Sequence, residues 1–247
     1  MASDVAIYHG DFISSKDMDT LSVRKDAYLV AEQGIIKGIY DQVPEGCRGL
    51  PVTDYSGKLI IPAFSDLHIH ASQYIQRGRG MDRLLSDWLN TYTFPQESNF
   101  RDIEYAKKIY PRVIRDLMVN GTFHAVFFTT IHYEASSYFF ELLQKSGMYA
   151  FSGKVNMDMN SPDYLTEETE KSLADTERFV AEHPGDDHVK PILTPRFSPT
   201  CSMKLMNGLG RIGQKYHVGL QTHLVESLWE AQTAKDLFPD CRTDADI

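Results

Sequence analysis

The chain has 247 residues, of which 42% are hydrophobic and 24% are charged, and its formal net charge is -9. This length suffices for one large domain or two modest ones, and the composition is that of an ordinary globular protein. The excess of acidic residues argues against a nucleic acid or an anionic membrane surface as the main partner, because both attract clustered positive charge.

The cysteines Cys47, Cys201 and Cys241 lie far apart, which argues against a disulfide framework and against a paired-cysteine metal motif. The N-terminal residues have no basic start followed by an apolar core, so we expect no signal peptide. No apolar run approaches the ~18–20 residues of a membrane span. These features favour a soluble, cytoplasmic protein.

Short strands are predicted over residues 1–60, and we interpret this segment as a small β unit. Within it, Gln33 and Gly34 separate two apolar runs, a pattern typical of a β-hairpin. A loop that contains Pro and Gly (VPEGCRGLP) then leads to the last strand of the unit.

Strands and helices alternate from about residue 60 onward. The predicted strands span 59–70, 122–132, 148–158, 189–197 and 216–224, and the predicted helices span 100–119, 134–147, 166–183, 201–215 and 226–238. This alternation indicates a parallel sheet with helices outside it, either an open doubly wound sheet or a barrel. The glycine-rich phosphate-binding signatures of open folds, GxGxxG and GxxxxGK, follow none of these strands, which favours the barrel.

Two histidines, His68 and His70, close the first strand of this alternation. Because side chains alternate along a strand, both imidazoles point to one face. At the carboxyl end of a barrel strand that face is the active-site face, and two neutral imidazoles there suit zinc. The alternative is a pair of surface histidines on a loop.

A third histidine, His223, is predicted at the same end of the fifth strand, and Glu226 follows where the next helix begins. A ligand histidine with a carboxylate just beyond it can hold a reactive water and move its protons. The alternative for Glu226 is a favourable negative charge in the first turn of a helix.

The segment LIIPAFSDLHIHASQYIQRG resembles the strand-one signature of the amidohydrolase superfamily, and LLSDWLNTYTFPQE, TPRFSPTCS and QTHLVES resemble the guanine deaminase family within it. The resemblance implies an α/β fold, an amidohydrolase-type (β/α)8 TIM barrel. It assigns residues 61–247 to a metal-dependent hydrolase barrel with about five βα units, and residues 1–60 to the N-terminal part of a small β-sandwich domain.

The resemblance also implies roles for seven residues. His68, His70 and His223 would bind one zinc ion per subunit, Glu226 would shuttle protons, and Gln73, Arg196 and Phe197 would hold the purine base. These types suit a flat heterocycle, because a guanidinium is a planar donor fork, an aromatic ring stacks and a carboxamide both donates and accepts. The alternatives are a structural ion pair for Arg196 and a core position for Phe197. Asp66 is a candidate to orient a ligand histidine.

The reaction implied is hydrolytic deamination of guanine to xanthine and ammonia, in purine catabolism, by a cytoplasmic homodimer. Another aminopurine or a pterin is an alternative substrate. Dinuclear relatives in the superfamily need a modified lysine at the mouth end of the fourth strand. Arg196 occupies that end here, so the resemblance implies one metal ion and not two. The P-C-x-x-C motif of the cytidine-deaminase fold does not occur, which sets that fold aside. We expect the loop around residues 77–94 to cover the site.

The family pattern further places a fourth histidine on the sixth strand and a metal-binding aspartate at the end of the eighth. Since we count five βα units up to Ile247, we expect an incomplete barrel. Two hypotheses stay open: part of a deaminase whose active form includes a further C-terminal segment, or a catalytically inactive product that acts as an interaction or assembly module. We expect the chain alone to deaminate guanine inefficiently and to bind zinc weakly.

Overall fold

The structure, a computed structural model, describes residues 5–247; residues 1–4, which the sequence analysis includes in the β unit, lie outside the described residues. The chain divides into two compact units, of which the first ends at Ala63 and the second is Phe64–Ile247. No helix among the described residues is both long enough and apolar enough to span a membrane.

The first unit contains one four-stranded sheet. Its strands are β1 (Val5–Ser15), β2 (Leu21–Glu32), β3 (Ile35–Tyr40) and β4 (Val52–Ile60), in the order β3-β2-β1-β4. The predicted hairpin turn is confirmed between β2 and β3, where Gln33 and Gly34 both have positive φ, 52° and 77°. This pair of left-handed residues matches the twist of the flanking strands. The assignment of this unit to a β-sandwich stays a prediction.

The second unit alternates strands with helices. Its strands are β5 (Phe64–His70), β6 (Thr122–Phe128), β7 (Tyr149–Gly153), β8 (Val155–Asn156), β9 (Val189–Pro191) and β10 (Thr194–Pro195). Its helices are α1 (Leu85–Trp88), α2 (Phe94–Glu97), α3 (Ile103–Val119), α4 (Tyr133–Ser146), α5 (Thr169–Glu182), α6 (Met203–Tyr216) and α7 (Leu228–Leu237), with a π-helical segment over Leu89–Thr93. The five longer helices are confirmed, with ends shifted by three residues at most.

The strands of the second unit are parallel and follow one another in chain order. Four of them form a sheet in the order β5-β6-β7-β9, and β8 pairs with β10. Single parallel bridges, Leu193 to Leu220 and Phe197 to His223, continue this order beyond β10. The α/β class with a parallel sheet is therefore confirmed, and this succession is the one that consecutive βα units of a barrel require. The carboxyl ends of the strands consequently lie along one edge.

The predicted strands are less continuous in the structure. The one over 122–132 ends at Phe128, the one over 148–158 divides into β7 and β8, and the one over 189–197 divides into β9 and β10. The predicted strand over 59–70 is interrupted between Ile60 and Phe64, where Pro62 has no N–H to donate to a ladder. The predicted strand over 216–224 is wrong as a continuous element. Helix α6 extends to Tyr216, and His217 then adopts a left-handed φ of 55°, which breaks the extended backbone that a strand needs.

The core of the second unit lies between the sheet and its helices. Helix α3 contributes Ala106, Ile109, Tyr110 and Val113, all at most 2% exposed, at the three- and four-residue spacing that one helix face requires. Helix α4 adds Phe139, Phe140 and Leu143, and the strands β6 and β7 add Phe127 and Ala150. This packing holds the strand ends that carry the candidate site.

Candidate metal centre and adjoining cavity

Three imidazoles meet at the carboxyl ends of the strands. His68 and His70 end β5, and His223 forms the bridge that continues the sheet. One ring nitrogen of each lies within 4.8 Å of one ring nitrogen of the other two. The ring of Phe128, at the end of β6, packs against all three, with centroid separations of 5.1, 4.7 and 4.4 Å. The three imidazoles therefore pack against one apolar side chain.

The orientation of His223 is fixed by the backbone of Arg196. Nδ1 of His223 donates to the carbonyl oxygen of Arg196 at 2.6 Å, and the backbone N–H of His223 donates to the same oxygen at 3.1 Å. Because a carbonyl only accepts, Nδ1 carries the proton and Nε2 keeps its lone pair. That Nε2 lies 2.9 Å from Nε2 of His70. Metal-binding histidines usually donate their other ring N–H to a carbonyl or carboxylate in this way, which fixes the orientation of the ring.

Burial keeps two of these imidazoles neutral. Desolvation lowers the pKa of His70 well below its usual value, and the positive charge of Arg196 lowers it further. Desolvation also lowers the pKa of His223 to about 4. Since a metal binds the unprotonated nitrogen, the cluster is prepared to bind one. Three imidazoles suit a zinc-like divalent ion that keeps an open coordination position.

A cavity of about 260 Å³ adjoins the imidazoles. It is lined by His68, His70, Gln73, Leu85, Trp88, Leu89, Arg196, Phe197, His223 and Glu226. The structure thus brings together all seven residues for which the sequence predicts a role, and adds an apolar wall from α1 and the π-helical segment. A second cavity of about 420 Å³ shares His68, His70, Gln73 and Trp88 with the first and extends along α3 to Asp116.

The apolar wall differs from the expected loop. The segment 77–94 is helical from Leu85 onward, and Trp88 lines the cavity. The indole N–H of Trp88 donates to the carbonyl of Arg79 at 3.0 Å, which fixes the ring. The block LLSDWLNTYTFP held the signal that could have identified this wall.

Arg196 combines both of its predicted interpretations. Its Nη1 donates to Oε2 of Glu97 at 2.8 Å, and the two side chains are 3% and 0% exposed. Its guanidinium also lies over the ring of Phe94, with 5.2 Å between the guanidinium carbon and the ring centroid. The ion pair therefore exists, and the same side chain lines the cavity. Sequence reasoning missed Glu97, the last residue of α2.

Phe197, Gln73 and Asp66 complete the set of predicted residues. Phe197 is 3% exposed and belongs to a buried cluster with Phe128, so it is at once a core residue and a cavity wall. Gln73 lies in the 3₁₀ turn that follows His70 directly. Asp66 accepts a hydrogen bond from the backbone N–H of His68 at 3.2 Å and supports the strand end, not a ligand ring.

Glu226 lies in the bend between His223 and α7. Its side chain is exposed and borders the cavity, and its backbone N–H is bonded to a buried carboxylate of the same helix, Glu230. Sequence reasoning missed Glu230. Its signal was the Ser-x-x-Glu pattern at residues 227–230, which is typical of the start of a helix.

Comparison with known proteins places this arrangement in a family. Residues 59–246 match the amidohydrolase family. The chain belongs to this family. Amidohydrolases are typically metal-dependent, and the three imidazoles of the second unit are a donor set of that kind. The cavity of about 260 Å³ lies beside them.

Among curated amidohydrolases, guanine deaminase of Rattus norvegicus is 42% identical over 98% of this chain and 56% of its own length. Guanine deaminase of Escherichia coli is 35% identical over 87% of this chain and 50% of its own length. The chain therefore spans about half the length of the curated relatives it matches.

Among solved structures, guanine deaminase from C. acetobutylicum with bound guanine in the active site has a TM-score of 0.94 at 44% identity, over 97% of this chain and 57% of that chain. A triazine hydrolase has a TM-score of 0.76 at 15% identity, over 96% of this chain and 56% of that chain, which shows a shared fold alone.

Proposed function

We propose that this amidohydrolase deaminates guanine hydrolytically to xanthine and ammonia. The observation that carries the proposal is the convergence of three imidazoles, a guanidinium, a carboxamide, an aromatic ring and a carboxylate on one cavity of about 260 Å³. Pockets for drug-sized ligands measure about 300–1,000 Å³, so this one suits a small heterocycle. The C. acetobutylicum relative holds guanine in its active site, which supports guanine as that heterocycle.

The base would be held by the residues opposite the imidazoles. The guanidinium of Arg196, with Nη1 bonded to Glu97, presents its remaining donors to a carbonyl oxygen or a ring nitrogen. The carboxamide of Gln73 can both donate to and accept from the edge of the base. The ring of Phe197 packs against the flat heterocycle. These contacts orient the base and exclude water from one side of it.

His68, His70 and His223 would hold one zinc ion. When bound, such an ion supplies a nucleophile at neutral pH by lowering the pKa of water to about 7. The chain's contribution is to present neutral imidazoles in a fixed orientation, which the carbonyl of Arg196 secures for His223. Arg196 thus supports a metal ligand with its backbone and borders the substrate cavity with its side chain.

Glu226 would move the proton that the reaction requires. The carboxylate of Glu226 takes a proton from the water that adds to C2 of guanine and delivers it to the adjacent ring nitrogen. The hydroxyl proton of the resulting adduct then passes to the exocyclic nitrogen, the bond between C2 and that nitrogen breaks, and the nitrogen leaves as ammonia. Water supplies the oxygen of the new carbonyl group in xanthine, so the atoms balance without a further reactant.

We further propose a cytoplasmic homodimer in purine catabolism, on the resemblance to guanine deaminases. Within the described residues the metal cluster contains three imidazoles and no carboxylate. We therefore expect the 247-residue chain alone to bind zinc more weakly, and to turn over guanine more slowly, than a longer guanine deaminase. Light scattering of the purified protein tests the dimer.

Substrate choice tests the proposed function. Titration calorimetry with the zinc-supplied protein compares guanine with adenine and a pterin, in the wild type and in Arg196→Lys. We expect guanine to bind tightest, and Arg196→Lys to weaken it by about tenfold or more, because lysine lacks the planar fork. Lys190→Arg, a change at an exposed position of β9, serves as the control and leaves the affinity unchanged. Tighter binding of adenine or the pterin overturns the proposal.

A further inference from the structure

The backbone just before Glu226 is strained. Val225 has a φ of 50°, in the left-handed region. A β-branched residue rarely adopts this conformation, because its Cβ substituents crowd the backbone. Such a conformation persists only when the surrounding structure holds it. Val225 lies between the metal-ligand candidate His223 and the proton-transfer candidate Glu226, so whatever holds it also determines where Glu226 is placed.

Glu230 provides that hold. Its side chain is completely buried, its Oε1 accepts from the backbone N–H of Val225 at 3.0 Å, and its Oε2 accepts from the backbone N–H of Glu226 at 2.7 Å. The backbone N–H of Glu230 donates in turn to Oγ of Ser227, the N-cap of α7, at 3.2 Å. In an ordinary capping box the glutamate bonds to the N-cap residue itself. Here it reaches past Ser227 to the two preceding amides.

A carboxylate is an expensive choice for a buried helix position. Burial raises the pKa of Glu230, which shows that the charged form is disfavoured there. Hydrogen bonds from two backbone N–H groups and the positive N-terminal end of α7 offset this cost by stabilising the carboxylate. An apolar residue would pack at this position without that penalty, but it would leave both amides of the strained segment without their acceptor.

We propose that Glu230 is a positioning residue that clamps the Val225–Glu226 backbone and thereby aims the carboxylate of Glu226 into the cavity. This rests on the proposed function, in which Glu226 moves a proton. A group that only stabilised α7 would change the unfolding temperature without a selective effect on Glu226. A positioning group changes proton transfer, and with it kcat, while the residues that bind guanine and zinc keep their affinities.

The test uses Glu230→Gln, which keeps the shape but retains only one acceptor for two amides. The control is Asp236→Asn, a carboxylate-to-amide change at an exposed position of the same helix. Amide hydrogen exchange at Val225 and Glu226 gives the first readout, and kcat against KM for guanine gives the second. We expect about tenfold faster exchange or more, and a kcat lower by about 10- to 100-fold at unchanged KM and zinc content.

A second variant adds Val225→Gly to Glu230→Gln. Glycine adopts positive φ without strain, so this pair regains part of the lost kcat if the clamp acts on the backbone. The inference is overturned if the backbone amides of Val225 and Glu226 exchange in Glu230→Gln at the wild-type rate. It is also overturned if kcat falls equally in Asp236→Asn. Rapid exchange of these amides in the wild type also overturns it. If the wild type does not convert guanine, the proposed function fails, and the exchange rates still decide the clamp.

Discussion

The guanidinium of Arg196 donates to the carboxylate of Glu97 across 2.8 Å in the interior, although 99 residues separate the two in the chain. The pair neutralises a cation that lies beside His70 and His223, where an unpaired positive charge would oppose the binding of a metal cation. It also fixes the plane of the guanidinium toward the cavity. Helix α2 and the end of β10 are thereby joined at the candidate site.

Removal of one partner from this pair leaves a buried charge without compensation. Glu97→Ala is therefore expected to lower the free energy of unfolding by about 3–5 kcal/mol and to weaken guanine binding. The double variant Glu97→Leu with Arg196→Met, which replaces the pair with apolar groups, regains most of the stability without regaining guanine affinity. Urea unfolding and calorimetry measure the two properties. A stable Glu97→Ala variant with full guanine affinity would contradict this account of the pair.

The three imidazoles should dominate metal affinity. His223→Ala is expected to lower zinc affinity by at least about 100-fold, because even the loss of a group behind a ligand lowers it by about 10- to 100-fold. His124→Ala removes an exposed imidazole from the start of β6 and serves as the matched control. Competition with a coloured chelator measures both variants. Equal zinc affinity in His223→Ala and the wild type would show that the cluster is not the metal centre.

The first unit contains a pH-sensitive contact that is independent of the site. Nε2 of His9 lies 2.9 Å from Asp26 and Nδ1 lies 3.0 Å from Asp54, and the hydrogen bond with Asp54 is the main cause that raises the pKa of His9. The stabilisation is therefore complete below the unfolded pKa of about 6.5 and is lost as the pH rises through the higher folded value.

The expected outcome is a stability difference between the wild type and His9→Gln that shrinks as the pH rises above the unfolded pKa of about 6.5. Urea unfolding at several pH values measures it, with His124→Gln as the control. A stability difference that grows with pH would show that the contact does not stabilise the protonated imidazole of His9.

Local patterns were sufficient for the part of the site that lies on single elements. The two-residue period of a strand predicts that His68 and His70 share a face, and the structure places their ring nitrogens together. The sequence could not reveal Glu97, because its partner is distant in the chain and no periodicity links them. Glu230 escaped notice because Ser-x-x-Glu predicts an ordinary cap, and the longer reach to Val225 depends on a backbone turn with positive φ.

The most direct test of the account is single-turnover conversion of guanine by the zinc-supplied protein, with the protein in excess. The predicted result is xanthine and ammonia in equal amounts, formed more slowly by at least about 100-fold in Glu226→Gln, because the variant cannot transfer the proton. Asp236→Asn should keep the wild-type rate. Guanine that remains unconverted by the wild type, or conversion by Glu226→Gln at the wild-type rate, would contradict the account.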